Sequence, residues 1–214
     1  MLGPNIQDWY TSFETLCVRK AYQAGDVILM QGEPADKIGF MLSGRAKASA
    51  YSENGDETWL AGFETHGFLG QVFDETGAGL PYEVLALTEV SLLFFPRSQL
   101  PAFLAAHPDF SLDLIKDINR QLDHMRVRTI EALTLSSKGR VCAELVRMSV
   151  PIGREPDKDI IRPNPVLVEL AVRVSSTRET VSRAVNDLLK KGILSREPGA
   201  LIVQSRSALR AGIK

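Results

Sequence analysis

Between Cys17 and about Pro96, apolar and polar residues alternate in short runs, each closed by turn formers. Residues 27–30, 38–42, 45–51, 58–63, 82–87 and 90–95 follow the two-residue period of half-buried strands. Ala24-Gly25-Asp26, Gln31-Gly32-Glu33-Pro34, Ser43-Gly44, Glu53-Asn54-Gly55-Asp56 and His66-Gly67 punctuate them. Strands this short, at such regular spacing, predict an antiparallel sandwich or barrel. Ahead of it, residues 5–16 predict a short helix.

The period then changes. Pro108 suits the first turn of a helix, and nothing breaks the chain from Asp109 to Leu135. Ile115, Ile118, Leu122, Met125, Thr129 and Ala132 recur at steps of 3, 4, 3, 4 and 3, a heptad rhythm suited to pairing with a second copy of the helix. Gly139 interrupts the run and is expected to act as a hinge. Residues 141–148 continue as helix, and residues 151–165 carry four prolines and predict a loop with a short strand at Ile160-Ile161. Two helices over 165–174 and 177–191 and a hairpin over 193–203, turning at Glu197-Pro198-Gly199, complete the chain.

Composition narrows the class. The chain has 214 residues, 44% of them hydrophobic, which suits one or two globular domains. It shows neither a basic-then-apolar leader nor an apolar run of about 18 residues, so a cytoplasmic location is expected. Cys17 and Cys142 alone supply neither a disulfide framework nor a cysteine-held metal cluster. The net charge of −1 conceals an asymmetry: 18 acidic against 10 basic residues up to Leu135, and 8 against 15 from Ser136 onward. A basic C-terminal third points to nucleic acid.

The decisive motif lies in that third. Asn164 is a candidate cap for a helix opening at Pro165, and Ser176-x-x-Glu179 is a candidate capping box for the next helix after a tight turn. Leu170, Ala171, Val174, Val181, Ala184, Val185 and Leu188 provide apolar faces that lock two short helices together. Arg178, Glu179, Ser182 and Arg183 are left near the exposed leading end of the second helix, the end that enters a major groove. An arginine fork suits guanine O6 and N7, and a carboxylate accepts from cytosine N4. Ser176, Thr177, Thr180, Lys190, Lys191 and Arg196 are placed to contact phosphates.

Thr177-Arg178-Glu179-Thr180-Val181-Ser182-Arg183, followed by Lys191-Gly192-Ile193-Leu194, resembles the recognition helix and wing of the Crp/Fnr superfamily, the catabolite-activator and fumarate-nitrate-reduction regulators. Tyr22-Gln23-Ala24-Gly25-Asp26-Val27-Ile28 and Gln31-Gly32-Glu33-Pro34-Ala35-Asp36 resemble that family's opening strands. The resemblance implies an α+β chain: a β-roll sensor domain over 1–107 (a cyclic nucleotide-binding-like jelly roll), a dimerisation helix over 108–135 and a winged helix-turn-helix over 136–214. It implies a homodimer on a palindromic DNA site, with RNA polymerase as a further partner and the 157–162 segment as a candidate surface loop for that contact. Arg178, Glu179 and Arg183 match the catabolite-activator pattern, and Glu179, Ser182 and Arg183 the fumarate-nitrate one. Both TGTGA-like and TTGAT-like half-sites therefore stay open. Ser175 stands where the family's turn usually has glycine, which matters if the position needs positive φ.

The sensor half departs from a cyclic-AMP receptor. Gln71, after Gly70, stands where the family places a ribose-binding glutamate, and Leu80-Pro81, before Tyr82, replaces the phosphate-binding arginine-serine pair. Glu83 would repel a phosphate. Met125 and Arg126 fall where the dimer helix offers a polar pair to the base, and Arg126 is the one cation placed to reach in. A cyclic nucleotide is therefore not the expected effector, and a cyclic-nucleotide- or haem-responsive regulator of the same family is kept as the alternative reading. His66, His107 and Cys17 are haem-ligand candidates by residue type alone, and no cofactor or metal is expected. A cupin-like metal enzyme is the alternative of a different class, and with His66 alone in the strand-rich region it lacks ligands.

Overall fold

The computed structural model describes residues 7–34, 36–55, 57–72, 79–153 and 155–214. They form two compact units, divided between Met125 and Arg126, inside the long helix.

The first unit holds helix α1 (Gln7–Leu16) and strands β1 (Val18–Tyr22), β2 (Val27–Leu29), β3 (Lys37–Ser43), β4 (Ala46–Tyr51), β5 (Glu57–Phe63), β6 (Phe68–Leu69), β7 (Glu83–Ala86) and β8 (Val90–Pro96). They build two four-stranded antiparallel sheets, ordered β1-β8-β3-β6 and β2-β7-β4-β5. Their facing sides share a core of Leu29, Met41, Ala48, Val84, Leu92 and Phe94. Because strand side chains alternate, Leu93 and Phe95 of β8 point the other way, with Ile38 and Phe40 of β3. There they meet Trp9 and Phe13 of α1, Leu100 and Phe103 of α2 (Leu100–Ala106), and Phe110 of α3 (Pro108–Thr134). The expected strands all form, with shifts of a residue or two at their ends. Strands β1 and β6 and helix α2 are among the additions. β1 is an exposed, charged edge strand without alternation, β6 has only two residues, and α2 is apolar throughout.

Helix α3 grips the first unit through polar groups as well as apolar ones. The Phe68 N–H donates to Asp117 Oδ2 at 3.1 Å, and Gln121 Nε2 donates to the Phe68 carbonyl at 2.9 Å, so one turn of α3 holds both backbone groups of a single β6 residue. Arg120 pairs with the other Asp117 oxygen, and the Trp9 indole donates to Asp113. Ile115, Ile118, Leu122, Met125 and Thr129 lie exposed, the four apolar ones at 39–53% of their full accessible surface.

The second unit contains α4 (Ser137–Met148), β9 (Val150–Pro151), β10 (Asp159–Ile161), α5 (Leu167–Arg173), α6 (Arg178–Lys190), β11 (Leu194–Glu197), β12 (Ala200–Val203) and α7 (Arg206–Ala211). The sheet runs β11-β12-β10-β9, and the hairpin turns at Pro198-Gly199 as expected. Val141, Leu145, Leu170, Val181, Val185, Leu188, Leu201 and Leu209 share its core. Two expectations are corrected. The helical run breaks at Ser136 (φ −62°, ψ 158°), whose hydroxyl accepts the Gly139 N–H and caps α4. Gly139 sits inside that first turn, where any Cβ would collide with the Lys214 backbone, so its smallness serves packing rather than bending. The 157–162 segment is not a free loop: β10 occupies its middle, Asp159 and Ile161 are buried, and Asp159 accepts from Ser149 Oγ at 2.6 Å.

Replacing Asp117 by alanine orphans the buried Phe68 amide and should cost about 1–3 kcal/mol, with asparagine costing less because its amide oxygen still accepts. Both tryptophans, Trp9 and Trp59, lie in the first unit, so their fluorescence during urea unfolding measures this directly.

Candidate nucleic-acid interface

Helix α5 ends by a left-handed turn. Ser175 has φ +47°, its N–H donates to Val172 O at 3.2 Å, and the Ser176 N–H reaches back to Ala171 O at 3.0 Å. This double closure satisfies the last carbonyls of the helix and reverses the chain in two residues. Thr177 then caps α6, its Oγ1 accepting the Thr180 N–H at 3.2 Å. The expected Ser176–Glu179 box is thus displaced by one residue: Ser176 is consumed in ending α5, so the next hydroxyl takes the cap. At the other end of α5 the Asn164–Pro165 start is also displaced. The Asn164 N–H donates to Gly199 O of the hairpin turn, which keeps that stretch out of the helix, and α5 opens at Leu167 without a side-chain cap.

Val181, Ala184, Val185 and Leu188 bury the back of α6. Its leading end turns outward. Arg178, Glu179 and Arg183 are exposed, Ser182 and Thr180 half-buried, and one Arg183 Nη2 proton is shared with Thr180 Oγ1 at 3.3 Å. Ser176 is half-buried and Thr177 exposed beside them. Lys190, Lys191 and Arg196 are exposed, with Lys191 held 3.1 Å from Asp187, which Lys138 also pairs. Hydrogen bonds from Lys138 and then Lys191 hold the Asp187 carboxyl below its ordinary pKa.

Behind the turn lies an ionic cluster that period-based reading misses. Glu144, on α4 and only 1% exposed, receives Arg128 Nη2 from α3 at 3.0 Å, Arg147 Nε at 2.9 Å and Arg173 Nη1 from α5 at 3.1 Å. Arg147 also forms a two-pronged pair with Glu131 at 2.7 and 2.8 Å. Burial alone would raise the Glu144 pKa, but the Arg128 charge, then those of Arg147 and Arg173, bring it below the ordinary value. One of these guanidiniums also caps the end of α5, Arg128 Nη1 donating to Arg173 O at 2.8 Å, and Arg140, outside the cluster, donates to Val174 O at 2.8 Å and Ser175 O at 3.2 Å. The only advance signal was an excess of arginine near the expected hinge.

The sensor-side candidates do not form one polar constellation. The Leu80 side chain is 3% exposed within the inter-sheet core, and its N–H donates to Glu33 O at 2.9 Å. Pro81 is exposed and Tyr82 half-buried, its hydroxyl pKa raised by burial. Gly70 adopts φ +96°, and the neighbouring Gln71 Oε1 is buried without a hydrogen-bond partner. Met125 and Arg126 are exposed on α3. The haem candidates pack on aromatics or are shielded: His66 lies 6.1 Å from Phe40, His107 lies 4.3 Å from Phe103, and burial, aided by Glu14, pushes the Cys17 thiol up to about 12.

The sequence matches the cyclic nucleotide-binding domain over residues 19–107 and the Crp-like helix-turn-helix domain over residues 139–211. The chain belongs to the Crp/Fnr family of transcription regulators. Among Crp/Fnr relatives, a global nitrogen regulator from Synechocystis sp. is 28% identical over 198 residues, covering 90% of this chain and 87% of that protein. A Crp/Fnr-family transcriptional regulator from Thermus thermophilus is 25% identical with a TM-score of 0.72, covering 92% of this chain and 98% of that one. A CooA variant structure from Carboxydothermus hydrogenoformans, 18% identical, shares the fold at a TM-score of 0.82 over 100% of this chain and 98% of its own. This Crp/Fnr chain is accordingly a regulator and not an enzyme.

The Ser175 conformation is strained for any residue with a Cβ. Serine to glycine should stabilise the chain by about 0.5–1 kcal/mol, and the β-branched valine should destabilise it by about 1–2 kcal/mol, in thermal unfolding followed by circular dichroism. Glu144 gives a pH signature. Its folded pKa lies below the ordinary 4.5, so its contribution is complete above that pH and is lost as pH falls through the folded value. Glu144→Gln should cost about 3–5 kcal/mol at neutral pH, and the gap from wild type should narrow in urea titrations carried below the ordinary carboxylate range.

Proposed function

We propose that the chain works as a homodimer on a two-fold symmetric DNA site, with Arg178, Glu179, Ser182 and Arg183 at base edges. Ser176, Thr177, Thr180, Lys190, Lys191 and Arg196 take the phosphates. The observation that carries this reading is the outward-facing polar end of α6 on a fully apolar back. Such a helix presents its forks rigidly, and rigid presentation is what discriminates bases. Dimerisation is supported by the exposed stripe of Ile115, Ile118, Leu122 and Met125 along α3, whose heptad spacing suits a second copy. Two recognition helices about 34 Å apart would then enter successive major grooves.

The effector is proposed not to be a cyclic nucleotide. Leu80, at the position where the family has its phosphate-binding arginine, is packed into the core, and Glu83 adds the wrong charge beside it. A cyclic phosphate left without its cation loses several kcal/mol in a low-dielectric site. RNA polymerase is proposed as a partner on family grounds, with the surface for it unassigned.

Binding to a duplex selected by the protein from a randomised pool, against a scrambled duplex, tests these roles. Arg183→Ala should cost about 1–3 kcal/mol on the selected duplex and flatten discrimination at one base pair. Lys191→Ala should weaken both duplexes alike and lower the salt slope by about one. Cyclic AMP should shift neither. Equal losses for both variants on both duplexes, or selection of no sequence at all by the wild type, would contradict the assignment.

A further inference from the structure

We propose that Arg128 is a positioning residue for DNA reading, the group through which helix α3 sets the angle of the recognition helix. The inference rests on the DNA-reading role of α6 proposed above. Its geometric basis lies wholly within the second unit. Arg128 stands on α3 one turn beyond Met125 and next to Thr129, so it flanks the exposed stripe without belonging to it. Its two terminal nitrogens have separate targets: Nη1 donates to Arg173 O at 2.8 Å, and Nη2 is shared by the Glu144 carboxylate oxygens at 3.2 and 3.0 Å.

The Arg173 carbonyl belongs to the last residue of α5, directly before the left-handed turn into α6. Arg140 holds the next two carbonyls, of Val174 and Ser175. Three successive carbonyls are therefore fixed from outside the helix-turn-helix, and α3 supplies the first of those fixings. An axial rotation of the part of α3 that belongs to the second unit, from Arg126 onward, carries Arg128 with it. That motion must either break the Arg128–Arg173 bond or tilt the turn, and α6 departs from that turn.

The chemistry explains why arginine is needed. Holding a carbonyl and a carboxylate at once takes a planar fork with two parallel-facing donors. A lysine ammonium can pair with Glu144 but cannot reproduce both contacts in that geometry. Glu144 keeps Arg147 and Arg173 when Arg128 changes, so its carboxylate does not become an unpaired buried charge. The positioning contact can therefore be removed while the ionic core stays occupied.

The test uses the full chain, with wild type, Arg128→Lys and Arg128→Met compared on the selected and scrambled duplexes, alongside urea unfolding. The expected result is a drop of about tenfold in the ratio of selected to scrambled affinity, the size of a typical coupling between sites. Affinity for scrambled DNA and its salt slope should stay at wild-type values, because no phosphate contact is touched. Arg128→Lys should retain a wild-type urea midpoint. The proposal is overturned if both variants keep the wild-type ratio, or if both lose selected and scrambled binding in equal proportion. It is overturned equally if neither holds its fold, which would make Arg128 an architectural residue only. Failure of the wild type to prefer any sequence would instead remove the DNA-reading proposal beneath it.

Discussion

The apolar contact between the back of α6 and its neighbours governs the DNA-binding half of the chain. Val181, Ala184, Val185 and Leu188 sit in a common core with Leu170 and Val174 of the preceding helix and turn, and that core fixes which side of α6 meets water. Burial of the valine and leucine side chains contributes about 1.5–3 kcal/mol each, far more than the exposed charges at the helix tip can return. The charged end is therefore carried by the packing and has no part in producing it. Its residues are free to be chosen for what they touch outside.

The turn is held in a second way, by charge. A carboxylate as enclosed as Glu144 is costly unless fully compensated, and three guanidiniums from α3, α4 and α5 compensate it. Two of them spend further donors elsewhere, Arg128 on the end of α5 and Arg147 on a second carboxylate, Glu131. An apolar cluster of the same volume would stabilise as well, yet it would not fix the end of α5 in direction. Directionality is what hydrogen bonds to Arg173, Val174 and Ser175 add.

Periodic features were legible from residue order. The alternating runs became strands β2, β3, β4, β5, β7 and β8, and the heptad-spaced stretch became α3, because hydrophobic period reports directly which side of an element is buried. Ser175 stood out as well, because it stands where the resembling family's turn usually has glycine, and its φ of +47° shows why the position matters. What stayed hidden lacked period. β1 is an edge strand whose charged residues face water, and β6 is two residues long. The capping shift from Ser176 to Thr177 depended on how α5 ends, and both hydroxyls fit the local pattern equally well. The Glu144 cluster joins residues 16 and 29 positions apart, and no spacing rule links them. Likewise Gly139 reads as a hinge until the Lys214 backbone is seen against it.

Strand β8 is sealed on both faces, Leu92 and Phe94 toward one core and Leu93 and Phe95 toward the other, with β1 and β3 on its two edges. The amides that pair with β3 are covered on every side, whereas those that pair with β1 depend on an exposed edge strand staying in place. Exchange of the β3-paired amides should therefore require wider opening of the first unit, which makes them the expected slow-exchange reference for looser parts of the roll.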